Sequence, residues 1–409
     1  MNIKKNIWAL AAALLFATAF TNCSDWTEVE AEKKVEYGNT ETSRPESYYQ
    51  ALREWKKTDH SISFGWFSGW GDPAVLTASM LMGLPDSMDM VSLWDNSSNL
   101  SQGKIEDLRM VQQKKGTKVL MCTFIQYVGK GFTPAEYDVD EATREAFWGW
   151  KEVQKLDEEG NPMFDKQGNP IMVPEENAMK ASLEKYAQAI ADTIYKYGYD
   201  GLDIDFEPNV DGYPNAKLDE HPDRVEVFLD ILCKHLGPQS NSGKMLVIDG
   251  ELWEVPSKTA TYFDYFIGQA YSVSGGTPSP TAGQSESNMD SRLRQIINNF
   301  GEYMSEEEIT KRFIVTENME SAIDALNGGY YWTLRNGTRL DKAECPSLLG
   351  MARWQPVNGF RKGGFGGYRF SNEAVNKPSY KWMRTGIQAQ NPQSISPNNQ
   401  KQEKDEKQH

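Results

Sequence analysis

The sequence predicts an α/β fold: a (β/α)8 barrel of the TIM type, with a β-hairpin-like insertion after its third strand. Three observations lead there. Eight short runs rich in β-branched and aromatic residues alternate with mostly helical segments between residues 61 and 370, the chain order of a closed parallel barrel. The run 118–125 is apolar almost without interruption, as parallel strands covered on both faces are. A chain of 409 residues exceeds an ordinary barrel of about 250 by enough to carry a leader, an insertion and a tail.

Taken in order, residues 48–57 read as a leading helix and 61–67 as strand one, which runs into a Gly-rich, aromatic loop at 68–73. Residues 74–82 have helical character, and 90–94 form strand two. An amphipathic helix over 104–115 feeds strand three at 118–125. The alternation then stops from Gly129 to about Pro174. Inside that interruption the octet from Asp157 to Phe164 is echoed by the octet from Asp165 to Met172, each with a Gly-Asn-Pro turn, which predicts a small hairpin or meander projecting from the barrel. Aspartate beside glycine also occurs in calcium loops, but the EF-hand spacing is missing. A long helix over 175–196 leads into strand four at 199–208. Helix 224–236, strand five at 244–251, strand six at 265–272, helix 289–303, strand seven at 312–317 and strand eight at 364–370 complete the barrel.

Strand four carries the chemistry. In an extended chain Leu202, Ile204 and Phe206 point one way, and Asp203, Asp205 and Glu207 the other. Three carboxylates thus share one face, successive ones roughly 6.5 Å apart. An acidic solvent face would alternate in the same way, but the bulky apolar side suits a strand packed outward on helices, with the acids turned into the barrel. Like charges this close in a partly buried site do not all ionise, so at least one carboxyl keeps its proton near neutral pH and becomes a candidate general acid. Glu207 falls at the C-terminal strand end, where barrel active sites lie.

The segment Asp200-Gly201-Leu202-Asp203-Ile204-Asp205-Phe206-Glu207 resembles the D-G-x-D-x-D-x-E signature of glycoside hydrolase family 18, at all five fixed positions. The resemblance implies a substrate-assisted reaction, one of the exceptions to the two-carboxylate rule. The acetamido oxygen of an N-acetylglucosamine attacks its own anomeric carbon, Glu207 protonates the leaving oxygen and then deprotonates water, Asp205 orients the acetamido group, and Asp203 shares a proton with Asp205. Repulsion from Asp205 is the expected means of keeping Glu207 protonated. Asp200, of opposite parity, braces the strand start.

Strand six adds Gln269 and Tyr271 on one face. This Gln-x-Tyr resembles the pattern of endo-β-N-acetylglucosaminidases, which implies that Tyr271 hydrogen-bonds the acetamido group. Position at strand ends makes Trp66, Trp94, Gln126, Glu251, Trp253 and Tyr368 substrate-binding candidates beside Gln269. Strand three lacks the Gly-rich sequence of the family's chitinases, and strand eight has Tyr368 where they carry tryptophan. The branch that cuts between the two core N-acetylglucosamines of N-glycans is therefore expected. A non-catalytic cell-surface glycan-binding protein on the same barrel and a chitinase-type hydrolase are the alternatives; retention of the acid favours catalysis.

Composition bounds the partners. The formal net charge is −15, which argues against nucleic acid or anionic lipid and fits a neutral ligand. No metal or organic cofactor is expected, and a monomer is. Residues 1–22, with Lys4 and Lys5 before an apolar run, read as a secretory signal. Cys23 after that run resembles the acylated cysteine of bacterial lipoproteins, and the acidic residues that follow resemble the export signal of surface lipoproteins in Bacteroides-like bacteria. Together they imply an outer-membrane, cell-surface location through a lipid anchor. Residues 23–57 are then a tether and leading helix, 58–386 the barrel, and 387–409 a polar tail too poor in apolar residues to order. Cys122, Cys233 and Cys345 show neither a disulfide framework nor metal-ligand spacing.

Overall fold

A computed structural model of the protein describes residues 44–72, 77–94, 98–210, 217–273 and 281–392. The expected signal segment and Cys23 lie outside them. Eight strands close a parallel barrel in sequence order: β1 Ile62–Phe67, β2 Met90–Leu93, β3 Lys118–Phe124, β4 Gly201–Phe206, β5 Met245–Gly250, β6 Tyr265–Gln269, β7 Phe313–Asn318 and β8 Gly364–Tyr368. Closure comes from β8 pairing with β1, Ile62 opposite Gly364 and Phe64 opposite Gly366. The inward glycines of β8 are required there: a Cβ on Gly366 would lie 2.3 Å from the Phe64 carbonyl oxygen.

Strand alternation divides the core in two. Phe64, Trp66, Met90, Leu120, Val247, Ile267 and Ile314 fill the barrel interior. Leu202, Ile204 and Phe206 of β4, with Leu246, Ile248 and Val315, face outward into the larger core shared with the helices. Ten helices are described; of these, α1 is Glu46–Lys56, α2 Gln102–Lys115, α3 Glu141–Trp148 and α4 Glu176–Tyr197. Helix α4 buries Leu183, Tyr186, Ile190 and Ile194, a three-to-four-residue spacing that sets one stripe against the sheet. It ends at Gly198 in the left-handed conformation and delivers the chain to β4. Four further helices follow the same sheet: α5 Pro222–Leu232, α6 Glu286–Phe300, α7 Glu306–Arg312 and α8 Ala322–Asn327. Next come α9 Ser347–Arg353 and α10 Lys381–Gln390.

The sequence reading needs three corrections here. The helix expected over 74–82 is, in its described part, two short 3-10 turns, Thr77–Ser79 and Leu81–Gly83. The buried carboxylate of Asp107 takes the backbone N–H groups of Leu81 and Met82 at 2.7 and 3.1 Å, and the Trp70 indole N–H at 2.9 Å, so those amides serve a tertiary contact instead of a helical ladder. The last helix continues past 386 to Gln390, because Ile387 is buried and Gln390 donates to the Ser61 carbonyl at 2.9 Å. The insertion holds a helix, α3, as well as the antiparallel pair Glu152–Gln154 and Met172–Pro174. Its octet echo is one turn built twice. Asp157 Oδ1 accepts from the backbone N–H of Glu159 and Asn161, and Asp165 Oδ1 from those of Gln167 and Asn169.

Candidate active site

Asp203 and Asp205 project from β4 into the barrel with no exposed surface, and Glu207 stands partly buried just past the strand end. Asp203 Oδ2 accepts the Trp66 indole N–H at 2.9 Å. Burial lifts its carboxyl above the usual range, opposed by hydrogen bonds. Asp205 is lifted well above that range, by burial first and then by the charges of Glu207 and Asp203. Glu207 is raised as well, by burial first, with the Gln269 hydrogen bond lowering it and the charge of Glu251 raising it. The expected cause is thus corrected: burial first, and then the charge of Glu251, raise Glu207, while the repulsion within β4 is felt at Asp205.

Asp249, which the sequence reading passed over, completes the buried acids. It lies in register opposite Asp205 on β5 and has no exposed surface. Burial, Asp205 and Asp203 push its carboxyl well above the ordinary value. A signal was available: with Val247 turned inward, parity puts Asp249 on the same face. Gln269 Nε2 donates to Asp249 Oδ1 at 2.9 Å and to Asp205 Oδ1 at 3.4 Å, so this amide is engaged with the carboxylates instead of being free for sugar. One oxygen of each aspartate, Asp203 Oδ1, Asp205 Oδ2 and Asp249 Oδ2, meets no hydrogen-bond donor. Shared protons satisfy such oxygens when burial disfavours charge. Cys122 Sγ and oxygens of Asp205 and Asp249 also lie within 4.8 Å of one another. A cation would fit that spacing, yet the raised carboxyls favour protons.

The other expected residues divide by position. Tyr271 follows β6, its hydroxyl held neutral by burial and by Asp249, Asp205 and Glu207. Its ring centroid lies 5.9 Å from that of Tyr368. Tyr368 in turn meets Trp94 edge-on at 5.1 Å and Trp66 at 6.2 Å, which makes an aromatic wall beside the acids. Trp66 itself is 1% exposed. It braces Asp203 and offers no free face to a sugar, which corrects its assignment to substrate binding. Trp253 is 43% exposed at the rim. Glu251 Oε2 accepts from the Asn209 backbone and side-chain N–H groups at 2.9 and 3.1 Å, pinning the loop after β4. At Gly250, where φ is +95°, a Cβ would lie 2.3 Å from the Phe206 carbonyl oxygen and 3.3 Å from Glu207 Cγ; glycine is what lets β5 press this closely on the acid.

Gln126 is 1% exposed, and neither amide atom has a hydrogen-bond partner among the described residues. Asp219, also missed, is 2% exposed, neither oxygen has a hydrogen-bond partner at bonding geometry among the described residues, and burial raises it to about 6. Glu317 at the end of β7 accepts from the Ser272 backbone N–H at 2.8 Å and its hydroxyl at 2.6 Å, fixing the residue next to Tyr271. Asp200 sits at the other end of β4, where it accepts from Val119 N at 3.0 Å and Lys118 Nζ at 2.9 Å.

A closed parallel barrel with a glutamate standing over buried aspartates at the end of its fourth strand is the architecture of a glycoside hydrolase. The chain belongs to glycoside hydrolase family 18, its BT1044-like group, whose profile matches residues 27–172 and 154–389. The two matches overlap over the residues that hold the octet echo. A solved structure of a BT1044 variant superposes with a TM-score of 0.65 at 28% identity, over 88% of this chain and 98% of that one. Endo-β-N-acetylglucosaminidase F2 of Elizabethkingia meningoseptica is 23% identical over 83% of this chain and 85% of its own length. EndoS of Streptococcus pyogenes, an endo-β-N-acetylglucosaminidase, is 25% identical over 48% of this chain and 21% of its own.

Proposed function

We propose that the protein is an endo-β-N-acetylglucosaminidase that hydrolyses the GlcNAc-β-1,4-GlcNAc core bond of N-glycans with retention, through an oxazolinium intermediate formed by the substrate's own acetamido group. The observation that carries this reading is the carboxylate row on β4: Asp203 and Asp205 are wholly buried inside the barrel and Glu207 stands past the strand end, facing the open barrel end, with burial raising both Asp205 and Glu207. A neutral Glu207 has a proton to give to the leaving oxygen, and once ionised it is a base for water. As the oxazolinium forms, positive charge develops beside Asp205. An aspartate that shares its proton with Asp203 and Asp249 can then ionise where that charge stabilises it. Tyr271, neutral and next to these carboxyls, has a hydroxyl suited to the acetamido oxygen.

Two curated relatives bear the name endo-β-N-acetylglucosaminidase, which supports this bond as the target. The aromatic wall of Trp94 and Tyr368 suits the faces of sugar rings. We further propose that Cys23 is acylated and anchors the protein at the bacterial cell surface; among the described residues no helix is long and apolar enough to cross a membrane. The test of function is mass spectrometry of glycans released from a panel of N-glycoproteins. The wild type is expected to leave one N-acetylglucosamine on the protein, and Glu207→Gln to release nothing. Absence of release with equal glycan binding by both proteins would make this a glycan-binding barrel instead.

A further inference from the structure

The outer rim of the same barrel end carries a second concavity of different chemistry. The strands Gly283–Ser285 and Tyr331–Thr333 pair in parallel. They come from the connections after β6 and β7, so they stand beside the strand ends that carry Gln269 and Glu317. A cleft of about 380 Å³ opens there, lined by Gln284, Ser285, Tyr331, Thr333 and Arg339 among others, with no acidic residue among the described residues of its lining. It is joined to the catalytic site, because Gln284 Nε2 donates to the Tyr271 carbonyl at 3.0 Å.

Arg339 is the distinctive group. Its guanidinium lies over the Tyr331 ring, 3.6 Å from the centroid, and donates to the Thr281 carbonyl at 2.9 Å. Nearby Arg335 pairs with Asp290 and Glu286, whereas Arg339 has no carboxylate at ion-pair distance among the described residues. Residues 274–280, which precede the cleft in sequence, include no acidic side chain. A guanidinium stacked on an aromatic ring keeps its edge donors in a fixed fork that matches a carboxylate. On a chain of net charge −15 the long-range field disfavours anions, so an exposed, unpaired cation in an acid-free hollow marks a local exception, effective within a Debye length of about 8 Å.

We propose that this rim cleft is a subsite for a carboxylate-bearing sugar at the end of a glycan branch, a sialic acid in the N-glycan setting, with Arg339 as its anchor. The proposal rests on the N-glycan reading of the catalytic site. Hydroxyls and amides of Thr333, Ser285 and Gln284 supply the polar groups that a sugar needs around its charged end.

The test compares kcat/KM for a sialylated biantennary glycopeptide and its desialylated form in the wild type, Arg339→Gln and Arg339→Lys. The wild type is expected to favour the sialylated form by about ten-fold, the scale of one charge-assisted hydrogen-bond pair. That ratio should collapse to about one in Arg339→Gln and survive in part in Arg339→Lys, which keeps the charge and loses the fork. Equal rates on both forms in the wild type, or an unchanged ratio in Arg339→Gln, would overturn the subsite. If the wild type cuts neither form, complex biantennary glycans are not its substrate, and NMR titration with sialyllactose decides the cleft on its own. Saturable binding lost in Arg339→Gln supports it, no binding overturns it, and equal binding of glucuronate overturns the assignment to sialic acid.

Discussion

Burial and, after it, Glu251 raise the upper pH limit of the reaction if Glu207 is the acid. Strands β4 and β5 are in register with Phe206 opposite Gly250, and Glu251 N donates to the Phe206 carbonyl at 2.8 Å. Glu207 and Glu251 therefore leave adjacent strands side by side, with backbones about 5 Å apart. Two carboxylates about 6 Å apart at an effective dielectric near 40, a value between protein interior and water, repel by about 1.4 kcal/mol. Glu251→Gln removes that charge and keeps an oxygen to accept from Asn209. Glu207 is raised by burial and by Glu251, and it must be protonated to act, so activity is lost as pH rises through its folded-state pKa. Without Glu251 the alkaline limb of kcat/KM moves to lower pH, and the protonated fraction on that limb falls by roughly ten-fold. The assay is initial-rate hydrolysis of a fluorescent glycopeptide across a pH series from acidic to alkaline. A limb that stays in place, or moves to higher pH, refutes the electrostatic role; a lower plateau with an unmoved limb would show that Glu251 acts only as a tether for the loop.

Other expectations follow from the same geometry. Asp205→Ala should cripple hydrolysis and respond little to added azide or formate, because the nucleophile is the substrate's acetamido group; strong rescue would identify Asp205 as an ordinary nucleophile. Lys115 is 1% exposed, pairs with Asp86 at 2.8 Å and donates to the Met82 and Leu84 carbonyls, so Lys115→Met strands a buried carboxylate and should cost about 3–5 kcal/mol in denaturant unfolding. A loss under 1 kcal/mol would mean that Asp86 takes up a proton in its place. Cys23→Ser expressed in the native host should shift the protein from the membrane to the soluble fraction, and retention would sink the lipoprotein reading.

Much of the barrel was legible because its signals are local. Each strand announces itself by a short apolar run, and the alternation of Asp203, Asp205 and Glu207 against Leu202, Ile204 and Phe206 needs only the two-residue period of a strand to place acids inside and aliphatics outside. The same rule applied to Val247 would have found Asp249. What stayed hidden depends on neighbours distant in sequence. The turns at 77–83 are set by Asp107, a residue on another helix, and no local propensity encodes that capture. The length of α10 is fixed by Ser61 at the opposite end of the chain.

The sequence by itself determined the eight-strand order, the carboxylate row on the fourth strand and the turn chemistry of the octet echo, since all three follow from spacing along the chain. Only the tertiary structure decided which acids lose water and which keep it. That partition makes Trp66 a brace for Asp203, ties Gln269 to Asp249, leaves the tuning of Glu207 to burial and then Glu251, and leaves Arg339 without an acid at ion-pair distance among the described residues. The physical reason is that a pKa or a free hydrogen-bond donor is a property of everything within a few ångströms, and in a closed barrel those neighbours arrive from every strand.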